Sequence, residues 1–371
     1  MGALSTFSTK SLNYYEQILH GEIMREAMYW EPLEDNRVRC LLCPLNCIID
    51  EGKRGSCRVR KNVGGKLYTL NYGKVSSMAL DPIEKKPLFH FYPGSCAFSI
   101  GTVGCNMHCK HCQNWEISQA DERFPYLQDA TPEAIVSLAK HYECESIAYT
   151  YNEPTIWYEF VLDTAKLARK AGLHNVLVTN GYISENPFRE LAPYIDAMNI
   201  DIKAFDDTFY MKIASVPSGE PSRRIARIAR REFGIHVELT YLVIPTFNDK
   251  EEEIRAFARW VVKNVGADTP VHFSRFFPHY KLTNLPPTPL ETIEMAYRVA
   301  KEEGLKFVYV GNIPGHPGEH TYCPKCGKPL IVRWGFTIEE YHIKDGKCKY
   351  CSEQIPIVRE YRKRHYKGMW W

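Results

Sequence analysis

No apolar run in the 371 residues approaches the roughly 20 that a transmembrane helix needs. The N-terminus "MGALSTFSTK" has no hydrophobic stretch of the secretory kind. Charge of one sign is also missing. The net charge is +3, so bulk electrostatics make no case for a membrane surface or nucleic acid as partner. There is no repeat of solenoid period and no low-complexity tract. Hydrophobic residues at 44% and charged residues at 25% are those of an ordinary globular protein. These absences predict a cytoplasmic protein with one large α/β core and appendages.

What is present in excess is cysteine, thirteen in all. With no leader and with tight C-x2-C groups, the pattern favours metal over disulfides. Cys40, Cys43, Cys47 and Cys57 form one group. Cys105, Cys109 and Cys112 form a second. Cys323, Cys326, Cys348 and Cys351 form a third. Cys96 and Cys144 are left over and read as small buried hydrophobes.

Three regions follow along the chain. Residues 1–95 carry an expected helix over about 11–28 and then a cysteine-rich extension. Residues 96–315 alternate strands with helices. Residues 316–371 are rich in turns and basic residues. In the middle region, short apolar runs at 97–103, 146–151, 175–180, 197–203, 236–244, 271–277 and 306–312 read as buried strands. Helical patterns lie between them, as at 131–142, 155–172 and 251–266. Six or seven such units predict a parallel sheet closed into a partial barrel. Chemistry in such barrels sits at the C-terminal ends of the strands. Polar residues collect there: Asn152 and Glu153, Thr179 and Asn180, Asp201 and Lys203, Ser274 and Arg275, and Asn312.

The stretch "GTVGCNMHCKHCQNW" supplies only three cysteines, where a closed structural metal site wants four ligands. His108 or His111 could complete a zinc set, but each directly precedes a cysteine, which makes one tetrahedron awkward in so short a loop. Three soft thiolates suit an iron–sulfur cube with one corner open to a small molecule.

C-x3-C-x2-C on the loop after the first strand resembles the signature of radical S-adenosylmethionine (SAM) enzymes. In that family the open iron of a [4Fe–4S] cluster chelates SAM, and the reduced cluster cleaves it to a 5′-deoxyadenosyl radical that abstracts hydrogen. "DPIEKKPLFHFYPGS", "SIGTVGCNMHCKHCQNWEIS", "YTYNEP", "YVGNIPG" and the upstream "CLLCPLNCIIDEGKRGSCRVR" are similar to radical SAM proteins of the AmmeMemoRadiSam system, relatives of pyruvate formate-lyase activating enzyme. The resemblance implies a partial (βα)6-type barrel and an electron donor such as ferredoxin or flavodoxin. It also implies Memo- and AMMECR-type partners and hydrogen abstraction from a protein. Two departures stand out. Asn152-Glu153 replaces the activating enzymes' Gly-Gly-Glu motif, leaving Glu153 to accept from the SAM ammonium and Asn152 to orient it. His111 replaces the usual aromatic beside adenine. Asp201 and Lys203 match an Asp-x-Lys whose lysine pairs with the SAM carboxylate, and Asn180 joins the same polar ring.

The spacing of Cys323/Cys326 and Cys348/Cys351 predicts a zinc-ribbon-like module. The Cys40 group can close on zinc or on a second [4Fe–4S] cluster. Arg223, Arg224, Arg227, Arg230 and Arg231 read as a solvated helix face. The basic, aromatic tail at 358–371 suits a nucleobase or a protein partner equally. Two other functions compete: radical modification of RNA or a small metabolite, and a non-catalytic iron–sulfur or zinc binding module.

Overall fold

The computed structural model describes residues 24–361. An eight-stranded mixed sheet forms the centre. In chain order its strands are β1 (Ser77–Pro82), β2 (Cys96–Gly101), β3 (Ser146–Tyr149), β4 (His174–Thr179), β5 (Ala197–Asp201), β6 (His236–Val243), β7 (Val271–Arg275) and β8 (Val308–Gly311). Each pairs with its sequence neighbour, so β1 and β8 are the two edges. From β2 to β8 every pairing is parallel, with Ser146 opposite both Ala97 and His174. The seven apolar runs all became these strands, trimmed by a few residues. β2 and β3 are buried at every position, as parallel strands covered on both faces are.

Parallel neighbours need crossovers, and six helices supply them. They are α1 (Pro132–His141), α2 (Tyr158–Lys170), α3 (Glu185–Leu191), α4 (Glu220–Arg231), α5 (Glu251–Asn264) and α6 (Leu290–Glu302). Thr131 caps α1 by accepting from Ala134 N, and Pro132 stands at its first turn. α4 contains the arginine run. It buries Ile225, Ala226, Ile228 and Ala229 and turns Arg224, Arg227 and Arg231 to solvent.

β1 was not legible as a strand. It pairs antiparallel with β2, Ser77 opposite Gly101, and ties the segment before residue 95 to the sheet. The expected helix over about 11–28 lies outside the described residues up to 23. Arg25–Glu26 is a short strand paired with Lys66–Thr69. The cysteine-rich segment folds as small antiparallel sheets packed on α2. Trp157 Nε1 donates to Asn71 O at 2.7 Å, and buried Arg60 pairs with buried Glu159. At the other edge, Thr321–Tyr322, Pro329–Trp334 and Thr337–Tyr341 form a three-stranded sheet. It packs on Phe89, Phe307 and Tyr309. Buried Arg333 fastens it by donating to Phe89 O at 2.9 Å and to Thr321 Oγ1 at 2.8 Å. Cys96 and Cys144 are buried as expected. They are not separate thiols, however: they pair as a disulfide between the start of β2 and the turn into β3. Among the described residues no helix is long and apolar enough to cross a membrane.

Candidate active site

One cavity of about 590 Å³ lies at the C-terminal ends of the strands. Its walls run from Lys86, after β1, to Asn312, after β8. The structure brings Cys105, Cys109, Cys112, His111, Asn152, Asn180, Asp201 and Lys203 to it, with Ser274 and Thr179. Arg275 turns away and donates to Thr288 O.

The three cysteines share one loop. Gly104, at φ +88°, starts it, and a Cβ there would lie 2.6 Å from Cys57 O. Asn152 braces the loop rather than offering its amide to the cavity. It accepts from Thr102 N at 3.2 Å and donates to Gly104 O at 2.7 Å. Cys105 Sγ faces Met107 N at 3.4 Å and Asn180 Nδ2 at 3.8 Å, and Cys112 Sγ faces Ser118 Oγ at 3.3 Å. Such donors favour sulfur in its thiolate form. Burial pushes the Cys105 and Cys109 thiols up, Cys109 to about 11, against the lowering effect of Lys203. A bound metal centre removes that penalty by deprotonating its thiol ligands outright.

Lys203 Nζ lies 2.9 Å from Asp201 Oδ2. Burial opposes its charge, yet Asp201 and the Cys109 sulfur hold its pKa above the ordinary lysine range. Lys203 is thus a largely buried lysine in the wall of the cavity that the three cysteines share. His111 is buried, and burial followed by the Lys203 charge pushes its pKa down to about 3. The ring is therefore neutral at pH 7. Its Nδ1 has no partner among the described residues. A buried polar atom left open at a cavity wall is a place for a ligand to hydrogen-bond.

Glu153 is placed differently from the expectation. It is fully buried and does not line the cavity. Its Oε1 accepts from Thr155 N at 2.9 Å and Thr179 Oγ1 at 2.7 Å, and its Oε2 from Asn180 N at 2.8 Å. The carboxylate is spent on tying the end of β3 to the end of β4, which presents Asn180. His108, weighed as a zinc ligand, is held between Ser56 Oγ at 3.0 Å and Gln119 Oε1 at 2.6 Å.

Sequence reasoning missed a charged wall. Lys86 is 2% exposed and lines the cavity with Lys85 and Tyr151. Asp81 accepts from Lys86 Nζ at 2.6 Å, Lys85 Nζ at 2.8 Å and Tyr151 OH at 2.6 Å. Burial would raise the Asp81 pKa, but the two lysines and the tyrosine hold it well below the usual carboxylate range. Burial outweighs Asp81 at Lys86 and brings that lysine down to about 8. The only signal was adjacency, since both lysines stand in "DPIEKKPLFHFYPGS".

The cysteine tetrads lie elsewhere. Cys323, Cys326, Cys348 and Cys351 bring their sulfurs within 4.8 Å of one another. Cys323 and Cys351 are 3.5 Å apart, and Cys326 and Cys348 are 3.8 Å apart. Four sulfurs about 2.3 Å from one tetrahedral ion stand about 3.8 Å apart. Cys40, Cys43, Cys47 and Cys57 line a separate small cavity.

Three cysteines on one loop thus open, together with Lys203 and His111, on one polar cavity at the strand ends. Residues 99–258 match the family model described as Radical SAM superfamily. The uncharacterized protein MJ0808 of Methanocaldococcus jannaschii is 51% identical over 338 residues, 90% of this chain and 100% of the relative. Residues 99–258 of the chain thus carry the radical SAM match. The chain is also similar to the pyruvate formate-lyase-activating enzyme of Clostridium pasteurianum, 25% identical over 169 residues, 44% of this chain and 67% of that one. A crystal structure of a domain of pyruvate-formate lyase-activating enzyme from Bacteroides vulgatus superposes with a TM-score of 0.39 at 18% identity. It covers 45% of this chain and 99% of that one.

Proposed function

We infer that this chain is an activating-enzyme-like radical SAM enzyme that abstracts hydrogen from a protein substrate. The observation that carries the reading is the three-cysteine loop facing the same cavity as Lys203 and the unpartnered His111 Nδ1. Cys105, Cys109 and Cys112 would hold a [4Fe–4S] cluster, which with SAM bound supplies a 5′-deoxyadenosyl radical. Lys203 is the cation for a carboxylate, and neutral His111 offers a ring face and one nitrogen to adenine. Asn180 Nδ2 faces Cys105 Sγ and would donate to it as a cluster ligand, and Asn152 holds the loop in register. The sheet reads as a partial barrel, because one cavity is lined by residues that follow both of its edge strands. Lys85, Lys86 and Tyr151 form the side of the cavity that would meet a substrate segment. The C-terminal tetrad reads as a closed zinc site of structural use. A ferredoxin or flavodoxin as reductant, and Memo- and AMMECR-type proteins as partners, complete the proposal.

The test is anaerobic incubation with SAM, reductant and candidate proteins carrying deuterium. Deuterium in 5′-deoxyadenosine, traced to one protein, supports the reading. Deuterium that comes only from RNA or small metabolites gives the site to another substrate class. No 5′-deoxyadenosine at all removes the enzyme reading.

A further inference from the structure

We propose that Cys40, Cys43, Cys47 and Cys57 hold a second iron–sulfur cluster, ligated by four thiolates and with no open corner. The four sulfurs do not close on one another as the C-terminal four do. The four cysteines, with seven other residues, line a cavity of about 10 Å³. Zinc sits about 2.3 Å from each of its thiolates. That puts the four sulfurs of a zinc site about 3.8 Å apart. Yet among the described residues only the C-terminal four bring their sulfurs within 4.8 Å of one another. A four-iron cube is the thiolate-bound centre that holds its ligands farther apart.

The ligands are set by local structure. Cys40 ends the strand Val38–Cys40, and its N–H donates to Cys47 O at 3.0 Å, closing the loop that carries Cys43. Leu42, Leu45, Ile49 and Ile156 supply an apolar part of the wall. Arg60 supplies a buried cation, with Nη1 4.0 Å from Cys40 Sγ. Four thiolates leave two net negative charges around either a zinc ion or an oxidised four-iron cube, so Arg60 suits both. Size is what separates them.

The site lies against the three-cysteine loop. Asn106, the neighbour of Cys105, is part of its wall. Cys57 O is the atom that a Cβ on Gly104 would strike, and Ser56 holds His108. The inference does not depend on SAM chemistry.

The experiment is metal and sulfide analysis of the full chain purified anaerobically, in the parent and in a Cys105→Ala/Cys109→Ala/Cys112→Ala variant. The parent is expected to carry about eight irons and the variant about four, each with matching acid-labile sulfide. Adding Cys40→Ser and Cys57→Ser to the variant should remove the remaining iron. Iron that survives this addition overturns the proposal, because it then sits elsewhere. So does a variant without iron that carries about two zincs, or only one. Should the variant fail to fold, about four irons in the parent overturn the proposal and about eight uphold it.

Discussion

The two cysteine tetrads have the same four ligands and different sizes. At the C-terminus two tight turns bring opposing sulfurs to 3.5 and 3.8 Å. Near the N-terminus the sulfurs come from a strand end, its following loop and a separate turn, and stand around a cavity. Their surroundings differ as well. The N-terminal tetrad has a partly apolar wall and a buried arginine, and it adjoins the loop of the active-site cysteines. The C-terminal tetrad has exposed Cys326 and half-buried Cys351, and it seats its module on Phe89 and Tyr309. Ligand type alone does not say what a cysteine group does. Spacing, burial and neighbours are what set the two groups apart.

The sharpest break comes at the three-cysteine loop. Cys105→Ser, Cys109→Ser or Cys112→Ser should each abolish SAM cleavage, since a cube losing one of three protein ligands is poorly held. Anaerobic assay of 5′-deoxyadenosine measures it. Full product from any of the three would remove this loop from the chemistry and with it the contrast to the C-terminal tetrad.

Cys323→Ser tests the C-terminal tetrad. Structural zinc contributes folding energy directly, about 10–16 kcal/mol in isolated zinc-finger peptides. Here packing on Phe307 and Tyr309 shares the load, so the expected loss is on the order of 5 kcal/mol. Zinc content and thermal melting should both fall, with SAM cleavage retained per folded chain. Lost cleavage with unchanged melting would make this tetrad functional.

Arg60→Met probes the N-terminal side. Removing one partner of a buried pair leaves the other charge uncompensated, and Glu159 is as buried as Arg60. The expected cost is about 3–5 kcal/mol. Chemical denaturation of the holoprotein reads it. Arg60→Met/Glu159→Leu should recover most of the loss. If it does not, the arginine's main partner is the cysteine group, not Glu159.

Much of this is legible in the sequence. The seven parallel strands show as apolar runs because both their faces are buried, and Gly172 and Gly266 mark helix ends through their positive φ. Cysteine spacing exposes the three groups because metal ligation constrains local sequence. β1 stayed hidden because an edge strand of mixed exposure, "SMALDP", has neither a long apolar run nor clean alternation. Glu153 was misplaced for a different reason. Residue type shows a carboxylate at a strand end, but not that three donors from β4 and its own turn already surround it. Lys86 and the Cys96–Cys144 pair depend on tertiary placement across the sheet, which no local pattern carries.

The smallest effect tests how the C-terminal module meets the core. Glu84 is buried after β1, accepts from Gly94 N at 2.8 Å, and has Oε2 without a partner among the described residues. Burial, opposed by the Arg333 charge from the C-terminal sheet, pushes its carboxyl up to about 7. A carboxyl whose pKa is higher folded than unfolded binds its proton more tightly in the native state. Its contribution is full below the unfolded value near 4.5 and is lost as pH rises through about 7. The whole swing is about 3 kcal/mol, at 1.36 kcal/mol per unit. Glu84→Gln should therefore match the parent near pH 4.5 and exceed it in melting temperature at pH 8. Disrupting the C-terminal tetrad with Cys323→Ser should enlarge that difference, because loosening the module moves the Arg333 charge away and raises the Glu84 pKa further. An equal difference with and without an intact tetrad would mean that Arg333 holds its place without the metal. The C-terminal site would then stabilise only its own turns.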